Sequence, residues 1–143
     1  MPPEHVLVPL DGSPLAEDAL EEVLTAFESR ITVLNVITPL DSHMSEGGVV
    51  EPGEDRLESA RERAERLADH ATEQAAAMDR TVETVVETGD PAETILDYVD
   101  AHDVDHVVMG SHGQDRRAVV RRLLGTVATK VVGEAPVTVT VVR

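Results

Sequence analysis

The sequence predicts an α/β fold of three layers, in which a five-stranded parallel sheet carries helices on both faces. Two observations support this prediction. Short runs rich in valine and isoleucine alternate with longer segments whose apolar residues recur every three or four positions, so strands alternate with helices. Such an order produces parallel strands joined by right-handed crossovers. The length of 143 residues suits one domain, so residues 1–143 are expected to form a single unit.

The predicted strands are short runs of β-branched and other apolar residues. They are expected at residues 4–10, 31–37, 81–87, 104–109 and 137–142. The last of them contains no proline, and Arg143 is the only charge beside it. Because an exposed edge strand must be paired or protected, we expect residues 137–142 to pair with a second copy of the chain, a solvated edge being the alternative.

The predicted helices are marked by N-cap residues and by apolar stripes. Ser13 and Asp90 each precede a proline, which is typical of an N-cap followed by the first helical turn. The helices are expected at residues 14–27, at 54–79, from Asp90 onwards and at 126–132. On the longest, an apolar stripe ends at Met78, and glutamate and arginine fill the opposite face, which is typical of solvated surface. Residues 38–53 predict a long loop, either functional or merely variable.

The composition excludes several classes of protein. The chain contains no cysteine, which excludes disulfide scaffolds, cysteine zinc sites and thiol catalysis. No apolar run approaches the ~20 residues of a membrane span, so no membrane partner is expected. The first residues lack a basic segment followed by an apolar one, which predicts no signal peptide and a cytoplasmic location. A formal charge of −16 and only two aromatic residues, Phe27 and Tyr98, argue against nucleic acid as a partner.

The charge is unevenly distributed along the chain. Residues 1–106 hold 26 acidic and 6 basic residues, whereas residues 107–143 hold 2 acidic and 6 basic ones. An excess of carboxylates with a single lysine, Lys130, favours adaptation to a cytoplasm of high salt, as in halophiles, over an ordinary acidic surface. The basic segment is either a place for an anion or a solvated helix face, and charge alone does not distinguish the two.

Glycines and polar residues follow the first and fourth predicted strands. Asp11 follows the first strand, residues 110–113 (Gly-Ser-His-Gly) follow the fourth, and Gly125-Thr126 opens the last helix. Ligands of parallel sheets bind at the carboxyl ends of the strands, and helix N-termini attract phosphate. The pattern is therefore interpreted as a site for the phosphates of a nucleotide, glycines needed only for tight turns being the alternative. Asp11 is suited to accept hydrogen bonds from a ribose or a base.

Other chemistry has little support in the sequence. The histidines form neither His-x3-His nor His-Glu-x-x-His, so a dedicated zinc site is not expected. Ser111 and His112 are neighbours, but no Gly-x-Ser-x-Gly motif is present and no residue is placed as a base to activate water, so no catalytic residue is assigned. Mg²⁺ or Mn²⁺ could accompany bound phosphates, held mainly by phosphate and water.

Five segments are highly specific in combination. They are Val-Pro-Leu-Asp-Gly-Ser at 8–13, Gly-Asp-Pro-Ala-Glu-Thr-Ile at 89–95, Val-Val-Met-Gly-Ser-His-Gly at 107–113, Leu-Leu-Gly-Thr-Val at 123–127 and Pro-Val-Thr-Val-Thr-Val-Val at 136–142. With them, nearly the whole chain resembles the universal stress protein family. The resemblance implies a Rossmann-like, adenine nucleotide α-hydrolase-like fold and a homodimer joined through the last strand. For one branch of the family it also implies ATP bound through Gly-x2-Gly-x9-Gly-Ser/Thr.

The resemblance further implies a set of nucleotide contacts. They are Pro9, Leu10, Asp11 and Val36 for the adenosine end, Met109, Gly110, His112 and Gly113 for ribose and phosphate, and Gly125, Thr126 and Val127 for the phosphates. The sequence departs from the family pattern at one place. Eleven residues, 114–124, separate Gly113 from Gly125, where the pattern has nine. We place the extra length in a loop near 114–117, where Asp115 would repel phosphate, and Arg116 and Arg117 would attract it.

The predicted function is that of a stress-response protein that binds ATP as a regulatory ligand. Two alternatives stay open. One is a dimeric family member that has lost ATP binding and acts as an interaction module, which the longer segment between the glycines favours. The other is a slow ATPase. Because no aromatic ring is placed to stack on the base, the adenine is expected to rest on aliphatic walls such as Val36.

Overall fold

The structure, a computed structural model, describes residues 2–38, 53–111 and 124–143, and of residues 53–56 only the backbone. Strands and helices alternate through these residues as predicted. The strands are β1 (His5–Pro9), β2 (Arg30–Ile37), β3 (Glu83–Thr88), β4 (His106–Gly110) and β5 (Thr138–Val142). The helices are α1 (Pro14–Ala26), α2 (Gly53–Ala76), α3 (Pro91–Ala101) and α4 (Thr126–Glu134). Most of the predicted loop at 38–53 lies outside the described residues.

The five strands form one parallel sheet in the order β3-β2-β1-β4-β5. β1 lies at the centre, between β2 and β4, and β3 and β5 are the two edges. The predicted fold class, a three-layer α/β domain with a parallel five-stranded sheet, is confirmed. The placement of β1 beside β4 also means that the chain winds from this pair towards both edges.

Helices cover both faces of the sheet, and alternate residues of β1 show how. Val6 and Val8 pack with α1 and α2 on one face, and Leu7 packs with α3 and α4 on the other. The residues that fill these layers are nearly all valine, leucine, isoleucine and alanine, as the composition predicts. These side chains are short and have few rotamers. The helices must therefore pack closely on the strands to fill a core that contains almost no aromatic rings.

The predicted N-caps are confirmed, whereas α4 ends two residues later than predicted, at Glu134, and α2 ends three residues earlier. The hydroxyl of Ser13 accepts a hydrogen bond from the N–H of Ala16 at 3.3 Å, and the carboxylate of Asp90 accepts one from the N–H of Glu93 at 3.0 Å. α2 ends at Ala76 rather than at residue 79. The chain turns there through Asp79, which has a left-handed φ of 56°, a conformation that a helix does not contain.

The C-terminal turn of α2 explains why the predicted apolar stripe is wrong at its last member. Met78 lies beyond the helix and is 40% exposed. Arg80, two residues on, donates from its guanidinium to two backbone carbonyls at the end of α1, at 2.7 and 2.8 Å. The side chain of Arg80 therefore ties the turn after α2 to the end of α1.

Both aromatic residues lie at the amino edge of the sheet. The ring of Phe27 lies 5.3 Å from that of His106 at the start of β4, and Tyr98 stacks on His102 at 3.9 Å. The carboxyl edge, where ligands of such sheets bind, is thus left without either ring. In the described part of the chain, we find no helix whose length and apolar character would let it span a bilayer.

Candidate functional site

The strand order creates a crevice at the carboxyl ends of β1 and β4. From β1 the chain passes into α1 on one face of the sheet, and from β4 it leads to α4 on the other face. Loops that leave neighbouring strands in opposite directions leave a space between them, and this is where doubly wound sheets bind ligands. The sequence predicts the site at these same strand ends, after the first and fourth strands.

A cavity of about 800 Å³ lies at this edge. Every predicted site residue that the structure describes lines it: Pro9, Leu10, Asp11, Val36, Met109, Gly110, Gly125, Thr126 and Val127. The other predicted site residues, His112, Gly113, Arg116 and Arg117, lie outside the described residues. The structure thus brings together residues from three strand ends and one helix start that are more than a hundred positions apart in the sequence.

Hydrogen bonds hold the loop after β1 in place. The N–H of Leu10 donates to the carbonyl of Leu34 at 2.8 Å, and the side-chain amide of Asn35 donates to the carbonyl of Leu10 at 2.7 Å. The carboxylate of Asp11 accepts from the N–H of Ser13 at 2.9 Å. Asn35 was not predicted as a site residue, and its signal in the sequence is a single amide within an otherwise β-branched strand.

The exit of β4 is joined directly to the start of α4. Ser111 is fully buried, and its carbonyl accepts from the N–H of Gly125 at 2.6 Å. Gly125 is the N-cap of α4, and it has no side chain to bond the first-turn N–H groups. These groups and the positive end of the helix dipole lie beside the cavity, where an anion would be stabilised. The exposed hydroxyl of Thr126 adds a further donor.

Gly110, at the end of β4, lies against the first turn of α1. A Cβ atom on Gly110 would lie 2.9 Å from the Cβ of Leu15 and 3.2 Å from the backbone nitrogen of Ala16. These distances are shorter than van der Waals contact, so only glycine lets the strand end lie against the first turn of the helix. The start of α1 and the start of α4 are therefore held on two sides of the same strand end.

The described lining of the cavity carries one acidic and one basic side chain. The acidic one is Asp11, which was predicted, and the basic one is Arg63 of α2, which was not. Arg63 belongs to the charged face of α2 that the sequence pattern assigned to solvated surface. Its contribution to the cavity depends on the packing of α2 beside β2, which no local signal encodes.

Among the described residues, the titratable groups with shifted pKa values lie at the opposite edge of the sheet. A hydrogen bond from Arg30 lowers the pKa of the Glu83 carboxyl, and burial lowers the pKa of the His106 imidazole. Both residues begin strands, at the amino edge, so neither can act on a ligand in the cavity. Within the described residues, no three histidine, aspartate or glutamate side chains gather as metal ligands.

The comparison with known proteins identifies the family. The family model of the universal stress proteins matches residues 3–143. The chain belongs to the universal stress protein family. A universal stress protein of Methanothermobacter thermautotrophicus is 42% identical over 59 residues, which are 41% of this chain and 38% of that protein. The chain thus spans well under two thirds of the length of this relative.

Solved structures of the family share the fold. UspA of Lactobacillus plantarum superposes with a TM-score of 0.85 at 25% identity, covering 100% of this chain and 99% of that one. A universal stress protein in complex with cAMP gives 0.73 at 21% identity, covering 100% and 99%. An Arabidopsis thaliana family protein with AMP bound gives 0.68 at 20% identity, covering 98% and 91%. The Rossmann-like, adenine nucleotide α-hydrolase-like fold is thereby confirmed for this chain.

Proposed function

We propose that this protein binds an adenine nucleotide in the cavity, with ATP as a regulatory ligand in a stress response. The observation that carries the proposal is the cavity itself, which joins an apolar strand end at Val36 to an uncapped helix start at Gly125. An apolar wall suits a purine, and free N–H groups suit phosphate. The proteins of the same fold with cAMP or AMP bound support an adenine nucleotide as the ligand class.

Each part of the nucleotide has a proposed partner. Val36 and Leu10 contact the purine, and the carboxylate of Asp11 accepts a hydrogen bond from the ribose. Thr126 and the first-turn N–H groups of α4 bind the phosphates. As the sequence predicts, Pro9 belongs to the adenosine end, and Gly125 and Val127 belong to the phosphates. The contacts predicted for ribose and phosphate are Met109, Gly110, His112 and Gly113, and Arg116 and Arg117 are predicted to attract phosphate. Mg²⁺ or Mn²⁺, if it accompanies ATP, is held by phosphate oxygens and water.

Regulation is favoured over hydrolysis by the place of the acidic group in the proposed arrangement. A general base must reach the attacking water, whereas Asp11, the acid of the described lining, is assigned to the ribose and not to the phosphates at the start of α4. The two extra residues between the glycines favour the second candidate, a dimeric interaction module without ATP.

The excess of carboxylates supports a protein adapted to a cytoplasm of high salt, and the same excess argues against nucleic acid as a partner.

ATP binding by the purified protein tests this proposal. Equilibrium dialysis at high salt is expected to show saturable binding of ATP. Thr126→Ala is expected to weaken it about five- to tenfold, because one hydroxyl donor to phosphate is lost. Thr129→Ala is the matched control, since this exposed threonine of the same helix does not line the cavity, and it is expected to leave the affinity unchanged.

Two outcomes would contradict the proposal in different ways. If the wild-type protein binds neither ATP nor ADP nor AMP, nucleotide binding fails and the interaction module replaces it. If phosphate is released from ATP faster than in a protein-free blank and Thr126→Ala abolishes the release, the nucleotide is a substrate and the slow ATPase replaces the regulatory ligand.

We also propose a homodimer joined through β5. This strand pairs with β4 on one side and forms an edge of the sheet on the other. The carbonyl of Val142 accepts from Ser111 beside β4, so by the alternation of a strand Val139 and Val141 direct their backbone groups outwards. A second β5 would satisfy these groups.

A proline on the outward side of β5 tests the dimer. Val141→Pro removes an outward N–H but none that β4 uses, so we expect light scattering to change from twice the mass of one chain to the mass of one chain. Circular dichroism should show the helices retained. A wild-type mass of one chain at high salt would refute the dimer, whatever the variant does.

A further inference from the structure

The packing of α2 on two sides fixes the direction in which Arg63 faces. Ala60 and Ala64 are buried against Ile37 at the end of β2, which fixes the sheet-facing side of the helix. Further along, His70 lies 3.6 Å from the carboxylate of Glu17 in α1. Residues 63 and 70 are seven positions apart and so share one side of a helix. The side of α2 that carries Arg63 is therefore the side that faces α1.

The same spacing places Arg63 beyond the start of α1. Glu17 lies in the first turn of α1, and seven helical residues span about 10 Å. Arg63 is thus about two turns of α2 further towards the carboxyl edge of the sheet than the contact between His70 and Glu17. Arg63 lines the cavity, and so does the loop at 11–13.

In the described part of the chain, no carboxylate forms an ion pair with the guanidinium of Arg63. Among the described residues, the ion pairs join Arg30 to Glu83, His70 to Glu17 and Lys130 to Glu93, and none involves Arg63. Asp11 is the carboxylate of the described cavity lining, and none of these ion pairs joins it to Arg63, so this cation favours an anion as its ligand. An arginine outside any ion pair is unexpected in this part of the chain, because residues 1–106 carry a net charge of −20 and so offer many carboxylates.

The part of the cavity suited to phosphate lies beside two helix starts. Gly110 lies against Leu15 in the first turn of α1, and the next residue, Ser111, is hydrogen-bonded to Gly125 at the start of α4. The two helix starts therefore flank one space, and Arg63 approaches it from the α1 side. Arg63 and the first turn of α4 therefore line the same cavity.

We propose that Arg63 binds a phosphate group of the nucleotide and so sets the preference of the site for phosphorylated ligands over adenosine. This inference rests on the proposed nucleotide binding. Arginine is suited to the role, since its planar guanidinium offers paired donors to phosphate oxygens on a long side chain. The contact also brings positive charge to the cavity from within the acidic part of the chain.

The test compares two arginines of one helix and two ligands. Arg63→Gln is expected to weaken ATP binding about three- to tenfold and to change adenosine binding less than about twofold, because only ATP carries the phosphates. Arg63→Lys is expected to keep most of the preference, since the charge remains. Arg66→Gln, the same change at an exposed position three residues on that does not line the cavity, is expected to leave both ligands unaffected.

The outcomes separate this inference from the proposed function. If the wild-type protein binds ATP and Arg63→Gln binds it equally well, or loses ATP and adenosine by the same factor, the phosphate contact is overturned while nucleotide binding stands. If the wild-type protein binds no adenosine compound, both fail together. A thermal melt of each variant shows whether a loss of binding comes from unfolding. If Arg63→Gln unfolds, the ratio of ATP affinity to adenosine affinity in Arg63→Lys decides the question: a ratio close to that of the wild-type protein supports the phosphate contact, and a ratio unrelated to the charge at residue 63 overturns it.

Discussion

Replacing Gly110 by alanine is expected to destabilise the protein by about 2 kcal/mol and to weaken ATP binding at least about tenfold. The new Cβ would lie 2.9 Å from the Cβ of Leu15 and 3.1 Å from its backbone carbon, so the first turn of α1 must move away from β4. This movement widens the crevice in which we place the nucleotide. Urea unfolding and equilibrium dialysis on the same preparation measure the two effects.

Gly133→Ala is the matched control for this change. Apart from its chain neighbours and the backbone of its own helix, no heavy atom of the described residues lies within 4 Å of the Cβ that would be added at Gly133. The residue lies in α4, where alanine is the better helix former. We expect the free energy of unfolding to rise by up to about 1 kcal/mol and ATP affinity to stay the same. Equal and small effects of the two substitutions would mean that β4 and α1 are not in close contact.

Replacing Val36 by tryptophan is expected to abolish ATP binding, with a loss of affinity of about a hundredfold or more, and to alter stability little. Val36 lines the cavity and is only partly buried, so the larger ring has space to enter without overpacking the core. That space is where the purine is proposed to lie. Dialysis with ATP and with adenosine measures the loss, and both ligands should lose affinity because the base is excluded.

Val86→Trp provides the comparison for a tryptophan in the same part of the sheet. Val86 lies on the neighbouring strand β3, is 40% exposed and does not line the cavity, so its replacement is expected to leave ATP affinity unchanged. If Val36→Trp bound ATP as tightly as Val86→Trp does, the purine would not lie against β2, and the proposed orientation of the nucleotide would be wrong.

The fold could be predicted because its signals are local. Alternating apolar runs gave the order of strands and helices, and Ser13 and Asp90 marked two helix starts through bonds that span three residues. The end of α2 could not be predicted in the same way. Its apolar pattern continues to Met78, whereas the backbone turns at Asp79 and Arg80 bonds the end of α1, a partner more than fifty positions away.

The candidate site was predicted where it follows strand ends and missed where it depends on packing. Asp11, Gly110 and Gly125 stand directly after strands or before a helix, so topology alone brings them together. Arg63 stands within a face of alternating charges and differs from Arg66 only in which side of α2 it occupies. That difference appears only when α2 is packed against α1.

The structure adds a source of positive charge at the cavity that the charge pattern of the sequence did not indicate. The sequence placed the cation for a phosphate in the basic segment after residue 106, through Arg116 and Arg117, which lie outside the described residues. Lys130, from the same segment, lies 3.5 Å from Glu93 in an ion pair. In the described part of the cavity, positive potential comes instead from the start of α4 and from Arg63.

A crystal structure of the protein grown with ATP at high salt tests the central claim most directly. We predict one nucleotide per chain at the carboxyl edge of the sheet, with the purine against Val36 and a phosphate within hydrogen-bond distance of Thr126. Nucleotide density at any other place on the chain, or a cavity that stays empty at ATP concentrations that saturate binding in dialysis, would contradict it.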